Sequence, residues 1–270
     1  MSNRLPGSFF LRNLVEKRGL LAQLVQRDFQ QRFVGSAIGW VWALIHPLVQ
    51  LLCWTFLFQG IMKVSLPPDE VTQNYPLYIF AGMLPWFLFS ETVQRSASSI
   101  LDQANLVTKT VFPSEIVPLA VFLSCLVGHG LALCMMIASA LIFLNQISVF
   151  LILLPVYTLI IGLFAVGVGW VVASLHVFLR DTAQVLGVIL TFWFFATPIM
   201  VPESRYPGWA HILVVANPLA YLVRAYRQML LGNRVPNPAD LLIAAASGAV
   251  VFLLGGLFFR HMKRGFADVL

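Results

Sequence analysis

The stretch that decides the fold is residues 116–179, IVPLAVFLSCLVGHGLALCMMIASALIFLNQISVFLILLPVYTLIIGLFAVGVGWVVASLHVFL, which contains no Asp, Glu, Lys or Arg. About 18 apolar residues already suffice to cross a bilayer as a helix, so these 64 residues are too long for one span. The only polar cluster near the middle is Asn145-Gln146-Ile147-Ser148. We therefore predict two membrane helices, 116–144 and 149–175, joined by a tight turn.

The composition of the whole chain agrees with a membrane protein. Of its 270 residues, 59% are hydrophobic and 10% are charged, whereas soluble domains average about 45–50% and about 25%. Disorder is excluded, because disordered chains combine low hydrophobicity with high net charge. A closed β-barrel would show alternating polarity, which continuous apolar runs such as 149–154 do not.

Four further apolar runs complete the predicted set of spans: 38–61, 75–93, 185–201 and 241–259. We predict an all-α integral membrane fold, with six transmembrane helices in a single domain that covers residues 1–270.

Lys and Arg predict the orientation, because they collect in cytoplasmic segments of membrane proteins. With the N-terminus inside, the inner segments carry 12 of these residues and the outer segments carry five. We therefore predict that residues 1–37 and 260–270, and thus both termini, are cytoplasmic. The first apolar run begins only at Ile38, and we predict no removable signal peptide. The net charge of +6 is explained by this bias, so we predict no nucleic-acid partner.

Two inner segments have apolar patterns of their own. Residues 20–34 place Leu21, Leu24 and Val25 opposite Gln23 and Arg27, which predicts an amphipathic helix at the membrane surface. The alternative is a cytosolic helix that packs on nothing related to the membrane. Residues 96–113 carry a short apolar pattern and end in Phe-Pro. They are either a docking helix for a soluble partner or a plain loop.

The outer loop 202–239 contains two helical pieces, 207–216 and 218–231, separated by Asn217-Pro218. Both are too short to span a bilayer, so we predict an outer hairpin that is either a lid over an exit or surface cover. Arg224 and Arg227 oppose the positive-inside bias, so they should either snorkel to head groups or meet an anionic substrate. The candidate gate residues of this hairpin are Tyr206, Trp209, Tyr221, Arg224, Tyr226 and Arg227.

Within the spans, two patterns predict helix contacts. Trp42, His46 and Gln50 share one face of the first span and form a candidate pore or helix-packing face. His46 and His129 are more often hydrogen-bonding residues between helices than metal ligands. In the fourth span, Ala165, Gly169 and Ala173 form the small-xxx-small pattern of closely packed membrane helices.

Several kinds of chemistry lack their motifs. The chain has no Gly-Lys pair and hence no phosphate-binding loop. Motifs of hydrolases and proteases are absent, and the five histidines lie on separate segments without metal-ligand spacing. No acidic residue lies deep in a predicted span to bind a coupling ion. Either transport is passive or its energy comes from another chain.

The order of short motifs resembles one family, the permease subunits of type-2 ABC exporters of lipid-linked polysaccharide, such as O-antigen, teichoic acid and capsule. Nearly the whole chain takes part, and no single motif is specific. The motifs are Arg27-Asp28, Arg32-Phe33, Gly39, Trp42, Pro47, Gly82-Met83-Leu84-Pro85-Trp86, Asn105-Leu106-Val107, Lys109, Phe112-Pro113, Phe178-Leu179-Arg180-Asp181, Thr197-Pro198-Ile199 and Asn217-Pro218.

This resemblance implies a half-transporter in the bacterial cytoplasmic membrane, in contact with membrane lipids. Two copies of the permease would form the pore for the lipid-linked polysaccharide, and two separate ATPase subunits would bind ATP and Mg²⁺, so this chain itself needs no cofactor or metal and is not an enzyme. The resemblance also makes 8–34 an interfacial entry helix, 96–113 the helix that couples to the ATPase, and 207–231 the outer gate helices. The residues that it implies for ATPase coupling are Asn105, Leu106, Val107, Lys109, Phe112, Pro113, Arg180 and Asp181.

Three alternatives remain open at this point. The first is a type-2 ABC exporter of drugs or other lipids. The second is a membrane enzyme that acts on a lipid-linked sugar, which an intramembrane cluster of acids or histidines would favour. The third is a passive channel or scaffold, which would not need a docking segment.

Overall fold

The computed structural model describes residues 18–32, 34–105 and 113–269, and every regular element within these ranges is a helix. Four of the coupling residues, Leu106, Val107, Lys109 and Phe112, lie outside the described residues. The α-helices are α1 (Arg18–Gln31), α2 (Trp42–Thr55), α3 (Tyr75–Ser99), α4 (Ile116–Leu144), α5 (Leu154–Phe178), α6 (Thr182–Ala196), α7 (His211–Val215), α8 (Pro218–Leu230), α9 (Pro238–Met262) and α10 (Phe266–Val269).

Tighter or wider helical turns extend several of these helices. A 3₁₀ turn, Gly39–Val41, precedes α2, and a π-helix, Phe56–Ile61, follows it. Two further 3₁₀ turns, Val149–Leu153 and Lys263–Gly265, come before α5 and after α9. Another 3₁₀ turn, Leu101–Gln103, follows α3, and two more, Glu203–Arg205 and Gly208–Ala210, lie in the loop before α7.

Four helical stretches of the described chain are long and apolar enough to cross a membrane: Trp42–Ile61, Ile116–Leu144, Val149–Phe178 and Pro238–Gly265. The predicted all-helical membrane fold is confirmed at this level. The split of the uncharged stretch is also found, because Asn145 ends α4 in a left-handed conformation with φ of 53°.

Two other predicted spans have a different character. α3 has 25 residues, of which 18 are buried, so it forms the centre of the bundle and carries Tyr and Pro residues that lower its hydropathy. α6 is apolar but has only 15 residues, or about 22 Å at 1.5 Å per residue. It ends at Ala196, before the predicted end at 201, because Thr197 is extended and Pro198 disfavours a helical conformation in the residue before it.

The connections between helices lie at two opposite ends of the bundle. We call the end that carries α1 the near end and the opposite one the far end. At the near end, Asp28 pairs with Arg95 of α3, and Glu115, just before α4, pairs with Lys263. At the far end, Gln146 donates to the Leu231 carbonyl. The predicted inner loops thus share one end and the predicted outer loops share the other.

α1 is amphipathic, as predicted. Leu24 is buried against Ile116 and Ala120 of α4, with Leu21 and Val25 packed around them. Gln23, Arg27, Gln30 and Gln31 are exposed on the opposite face. The helix therefore packs on a candidate membrane span, which excludes the alternative of a helix unrelated to the membrane helices.

Small residues bring the central helices close together. Gly169 of α5 faces Ser96 of α3, and a Cβ added to Gly169 would lie 2.9 Å from the Ser96 hydroxyl. Ala165 and Ala173 are fully buried on the same helix. This confirms the predicted small-residue contact. The closest approach is between α5 and α9, where a Cβ on Gly255 would overlap the Gly167 carbonyl oxygen.

Candidate functional site

A cavity of about 920 Å³ lies between α2, α3, α4 and α6. Ligand-binding pockets have volumes of about 300–1,000 Å³, so the cavity is large enough to admit a ligand. Trp42, His46 and Gln50, which the sequence placed on one face of the first span, all line it. Residues four apart lie on the same side of a helix, and the structure places this face on the cavity wall.

The near end of the cavity carries an alternating row of charges. Arg32, after α1, contacts Glu91 of α3 at 2.6 Å, and both line the cavity. Arg95, one turn further along α3, lies 3.8 Å from Glu91 and 2.8 Å from Asp28 of α1. These four charges tie α1 and the segment after it to α3. The sequence suggested Glu91 only as a span boundary and gave no signal for its partners.

The far part of the cavity is aromatic. Trp54 of α2 lies 5.9 Å from Phe194 of α6, between ring centroids, and 6.2 Å from Phe195. Trp86 of α3 lies 5.5 Å from Phe194. Aromatic rings at these distances attract one another and present flat apolar surfaces. The cavity therefore combines a charged end with an aromatic end.

A buried polar chain connects this cavity to α8. His129 of α4 lines the cavity, and its Nε2 lies 3.2 Å from the hydroxyl oxygen of Tyr226. The Tyr226 hydroxyl also lies 3.0 Å from the Thr158 hydroxyl of α5. His129 is thus the predicted hydrogen-bonding residue between helices. Throughout residues 18–32, 34–105 and 113–269, no three His, Cys, Asp or Glu side chains gather as potential metal ligands.

The two pieces of the predicted outer hairpin differ in their surroundings. The first piece, predicted as a helix over 207–216, is a 3₁₀ turn followed by the five-residue α7, and Trp209 is 77% exposed. The second piece, α8, has 10 of its 13 residues buried, so it is inserted among the other helices. The candidate gate residue Tyr221 is buried, and its hydroxyl donates to the Val215 carbonyl of α7 at 2.8 Å.

Arg227 of α8 lies inside the protein and is only 5% exposed. Its guanidinium donates to the backbone carbonyls of Tyr78 at 3.2 Å, Pro198 at 2.8 Å and Ile199 at 2.6 Å. It also lies 3.5 Å from the centre of the Tyr78 ring, a cation–π contact. Gly82 leaves room for it, since a Cβ there would lie 2.7 Å from the guanidinium. Arg227 therefore neither snorkels nor faces a substrate, and both interpretations from the sequence are wrong for it.

Arg224 is also occupied by partners within the protein. It pairs with Glu203 at 2.7 Å and with Asp240 of α9 at 2.5 Å. These ion pairs join the loop before α7, the buried helix α8 and the start of α9. Glu203 and Asp240 are the only acidic residues between positions 202 and 240, which is the sequence signal that could have identified them as partners.

Two motifs that carried the family resemblance meet at the far end. The side-chain amide of Asn217 donates to the Thr197 hydroxyl at 2.8 Å, and its oxygen accepts from the Leu219 backbone and the Trp193 indole. Asn217 thereby begins α8 and fixes the chain where α6 ends. Beside this junction, the Tyr206 hydroxyl donates to the Phe195 carbonyl at 3.2 Å. On the same side of the protein, burial raises the pKa of the Glu70 carboxyl above its usual range, and the positive charge of Arg227 offsets part of this rise.

The described coupling residues all lie at the near end. Asn105 is exposed where the described chain stops before residue 106, and Pro113 is buried where it resumes. Arg180 and Asp181 are exposed in the turn between α5 and α6. Both connections therefore face the same side of the bundle as α1.

Comparison with known proteins identifies the class. Residues 19–231 match the family model of the ABC-2 type transporter. The chain belongs to this family, and it is a membrane transport component and not an enzyme.

Individual relatives cover almost the full length. The chain is 30% identical over 260 residues to the O-antigen export system permease protein RfbA of Myxococcus xanthus, covering 96% of this chain and 98% of that protein. It is 26% identical to an RfbA of Klebsiella pneumoniae, over 93% of this chain and 95% of the relative. It is also 25% identical to the polysialic acid transport protein KpsM of Escherichia coli, over 88% and 91%.

Proposed function

We propose that this chain is the permease subunit of an ATP-driven exporter that moves a lipid-linked polysaccharide, of the O-antigen class, across the cytoplasmic membrane of a bacterium. The observation that carries the proposal is the near full-length similarity to permeases named for O-antigen export and polysialic acid transport. An exporter of drugs or other lipids is the second candidate, because the ABC-2 family match by itself does not distinguish the cargo.

The membrane arrangement that we propose has six crossings with both termini in the cytoplasm. Four helical stretches satisfy length and composition for a span. α3 and α6 also run between the near and far ends, since the contacts at their two ends lie on opposite sides of the bundle. The near end, which carries most of the basic residues, would face the cytoplasm.

The proposed assembly contains two copies of this chain and two ATPase subunits, which would bind ATP and Mg²⁺. The absence of a phosphate-binding loop from the sequence supports a separate ATPase. The exposed near-end connections at Asn105 and at Arg180-Asp181 supply the proposed contact surface. The residues 106–112 between the described ranges belong to the same proposed surface.

The proposed route for the substrate includes the 920 Å³ cavity and its wall of Trp42, His46 and Gln50. Its charged end would meet the phosphorylated head of a lipid-linked glycan, and its aromatic end offers flat surfaces on which sugar rings can stack. Trp209, exposed at the far end, remains the best candidate for a residue at the exit. Tyr206, Tyr221, Arg224, Tyr226 and Arg227 would hold this exit region in place through the contacts described above.

Removal of the chain from its host tests the proposal. We expect surface polysaccharide to disappear and lipid-linked glycan to accumulate on the cytoplasmic face, and we expect re-expression to restore export. The matched variants are Gln50→Leu, which removes a polar group from the cavity wall, and Arg234→Gln, which changes an exposed far-end side chain. Only the first should reduce export.

Normal surface polysaccharide in the deletion strain would refute the proposed cargo. If that strain instead became sensitive to amphiphilic drugs, the second candidate function would replace the first. Co-purification of an ATP-hydrolysing protein is expected in both cases, so its absence would refute an ATP-driven exporter of any kind.

A further inference from the structure

The turn Lys263–Gly265 and the short helix α10, which we together call the last turn, pack against two connections at the near end. Lys263 donates to the Glu115 carboxylate at 2.8 Å, immediately before α4. Phe266 contacts Phe178 at 6.0 Å between ring centroids, immediately before the turn that contains Arg180 and Asp181. One short segment thus touches the end of one near-end connection and the beginning of the other.

The contact is built around one buried aromatic side chain, Phe266. Phe266 is 1% exposed and also lies edge-on to Phe259 at 5.5 Å. α10 has only four residues and cannot be stable as an isolated helix. Packing of Phe266 therefore holds it in place. Gly265 allows the close fit, since a Cβ there would lie 3.3 Å from the Phe178 ring.

Glu115 is fixed from two directions. Its carboxylate accepts from Lys263, and its backbone carbonyl accepts from the indole of Trp170 at 2.9 Å. Pro113 and Ser114, which precede it, are buried. The position at which the chain returns to the bundle after residues 106–112 is therefore determined by α5 and by the last turn together.

We propose that the turn Lys263–Gly265 and α10 position the ATPase-contacting surface, by fixing Glu115 on one side and Phe178 on the other. The inference rests on the proposed function, because it requires a partner ATPase at the near end. While both contacts are in place, a displacement of this surface by the ATPase is transmitted to α4 through Glu115. If Lys263 or Phe266 is lost, Glu115 or Phe178 is no longer held in place and hydrolysis no longer drives transport.

Reversal of single charges provides the first test, in the full-length permease with its partner ATPase in membranes. The variants are Lys263→Glu, Glu115→Lys and the exchanged pair that carries both. An ion pair of this exposure contributes little to stability, so the amount of inserted protein should stay unchanged. We expect each single variant to lower the polysaccharide exported per ATP hydrolysed at least threefold, and we expect the exchanged pair to recover more than half of the loss.

The matched control is Arg264→Glu, which makes the same charge change at the neighbouring exposed residue. It should leave the export-to-hydrolysis ratio unchanged. A ratio in Lys263→Glu equal to that of the control would overturn the inference, as would an exchanged pair that behaves no better than the single variants.

The aromatic contact provides an independent test. Phe266→Ala should lower the export-to-hydrolysis ratio, whereas Phe266→Leu, which keeps an apolar side chain against Phe178 and Phe259, should retain most of it. Equal ratios in the two variants and the unaltered protein would overturn the role of Phe266. If the unaltered protein binds no ATPase, the proposed function fails; if it couples normally and the variants do as well, only this inference fails.

Discussion

Replacement of Arg227 by Met tests whether α8 is held inside the bundle by its buried charge. The guanidinium donates to three backbone carbonyls, two of which belong to the turn after α6. Met has a similar length and no donor, so the variant leaves these carbonyls without their partner in a region shielded from water. We expect α8 and the turn at Pro198 and Ile199 to loosen together.

The magnitude follows from the contacts. Hydrogen bonds from a charged donor contribute about 1.5–3 kcal/mol each, so three of them give about 4.5–9 kcal/mol. Removal of the charge also removes the cost of burying it, on the order of several kcal/mol per ion, and this offsets part of the loss. The expected net destabilisation is about 2–5 kcal/mol, close to the roughly 3–5 kcal/mol lost when one partner of a buried charge is removed. Arg227→Lys keeps the charge but cannot reach all three carbonyls. Its stability should therefore lie between that of Arg227→Met and that of the unaltered protein.

The assay is thermal unfolding of the purified permease in one detergent, read as the temperature at which half the folded protein is lost. At about 2–4 °C per kcal/mol for a chain of this size, the midpoint should fall by about 4–20 °C. Arg234→Met, at an exposed position in the connection after α8, is the control and should leave the midpoint unchanged. Equal midpoints for the two Met variants would refute the reasoning.

Three further predictions concern packing, coupling and topology. Gly255→Ala should reduce the folded yield strongly, because its Cβ would overlap the Gly167 backbone, whereas Gly130→Ala, with open space around it, should not; equal yields would contradict the close contact between α5 and α9. Replacement of Leu106 and Phe112 by polar residues should leave the permease inserted but abolish transport-linked ATP hydrolysis, because the apolar docking contact is lost. Normal stimulated hydrolysis in this variant would exclude these residues as the docking contact for the ATPase. A cysteine at exposed Ile147 should react with a membrane-impermeant thiol reagent from outside, and one at exposed Asp102 only after permeabilisation; the reverse pattern would refute the orientation.

The long apolar helices were predictable because their signal is local. The predicted range 116–144 agrees with α4 at both ends, since Asn145, Gln146 and Ser148 are the only strongly polar residues near the middle of the uncharged stretch. The spacing of Trp42, His46 and Gln50 also places them on one helix face, and all three line the cavity. Such patterns depend on the chain itself and not on which other helices surround it.

The position of α8 was not predictable in the same way. Its amphipathic pattern and two Arg residues indicate a helix at a surface, where the polar side would face water or head groups. In the structure, the Arg227 guanidinium instead donates to the carbonyls of Pro198 and Ile199, which have no helical partners because α6 has already ended. Unpaired carbonyls within a membrane protein require a donor, but the sequence pattern of α8 does not show where another helix ends.

The buried and paired positions of these two arginines also bear on the predicted orientation. The outer segments carry five basic residues against 12 in the inner segments, and the outer five were the main objection to a cytoplasmic N-terminus. Arg227 is buried among carbonyls, and Arg224 is bound by two carboxylates of the same end. Only Lys63, Arg205 and Arg234 then remain exposed there. Because the paired carboxylates and carbonyls offset the cost of the internal charges, these two arginines do not weigh against the positive-inside bias.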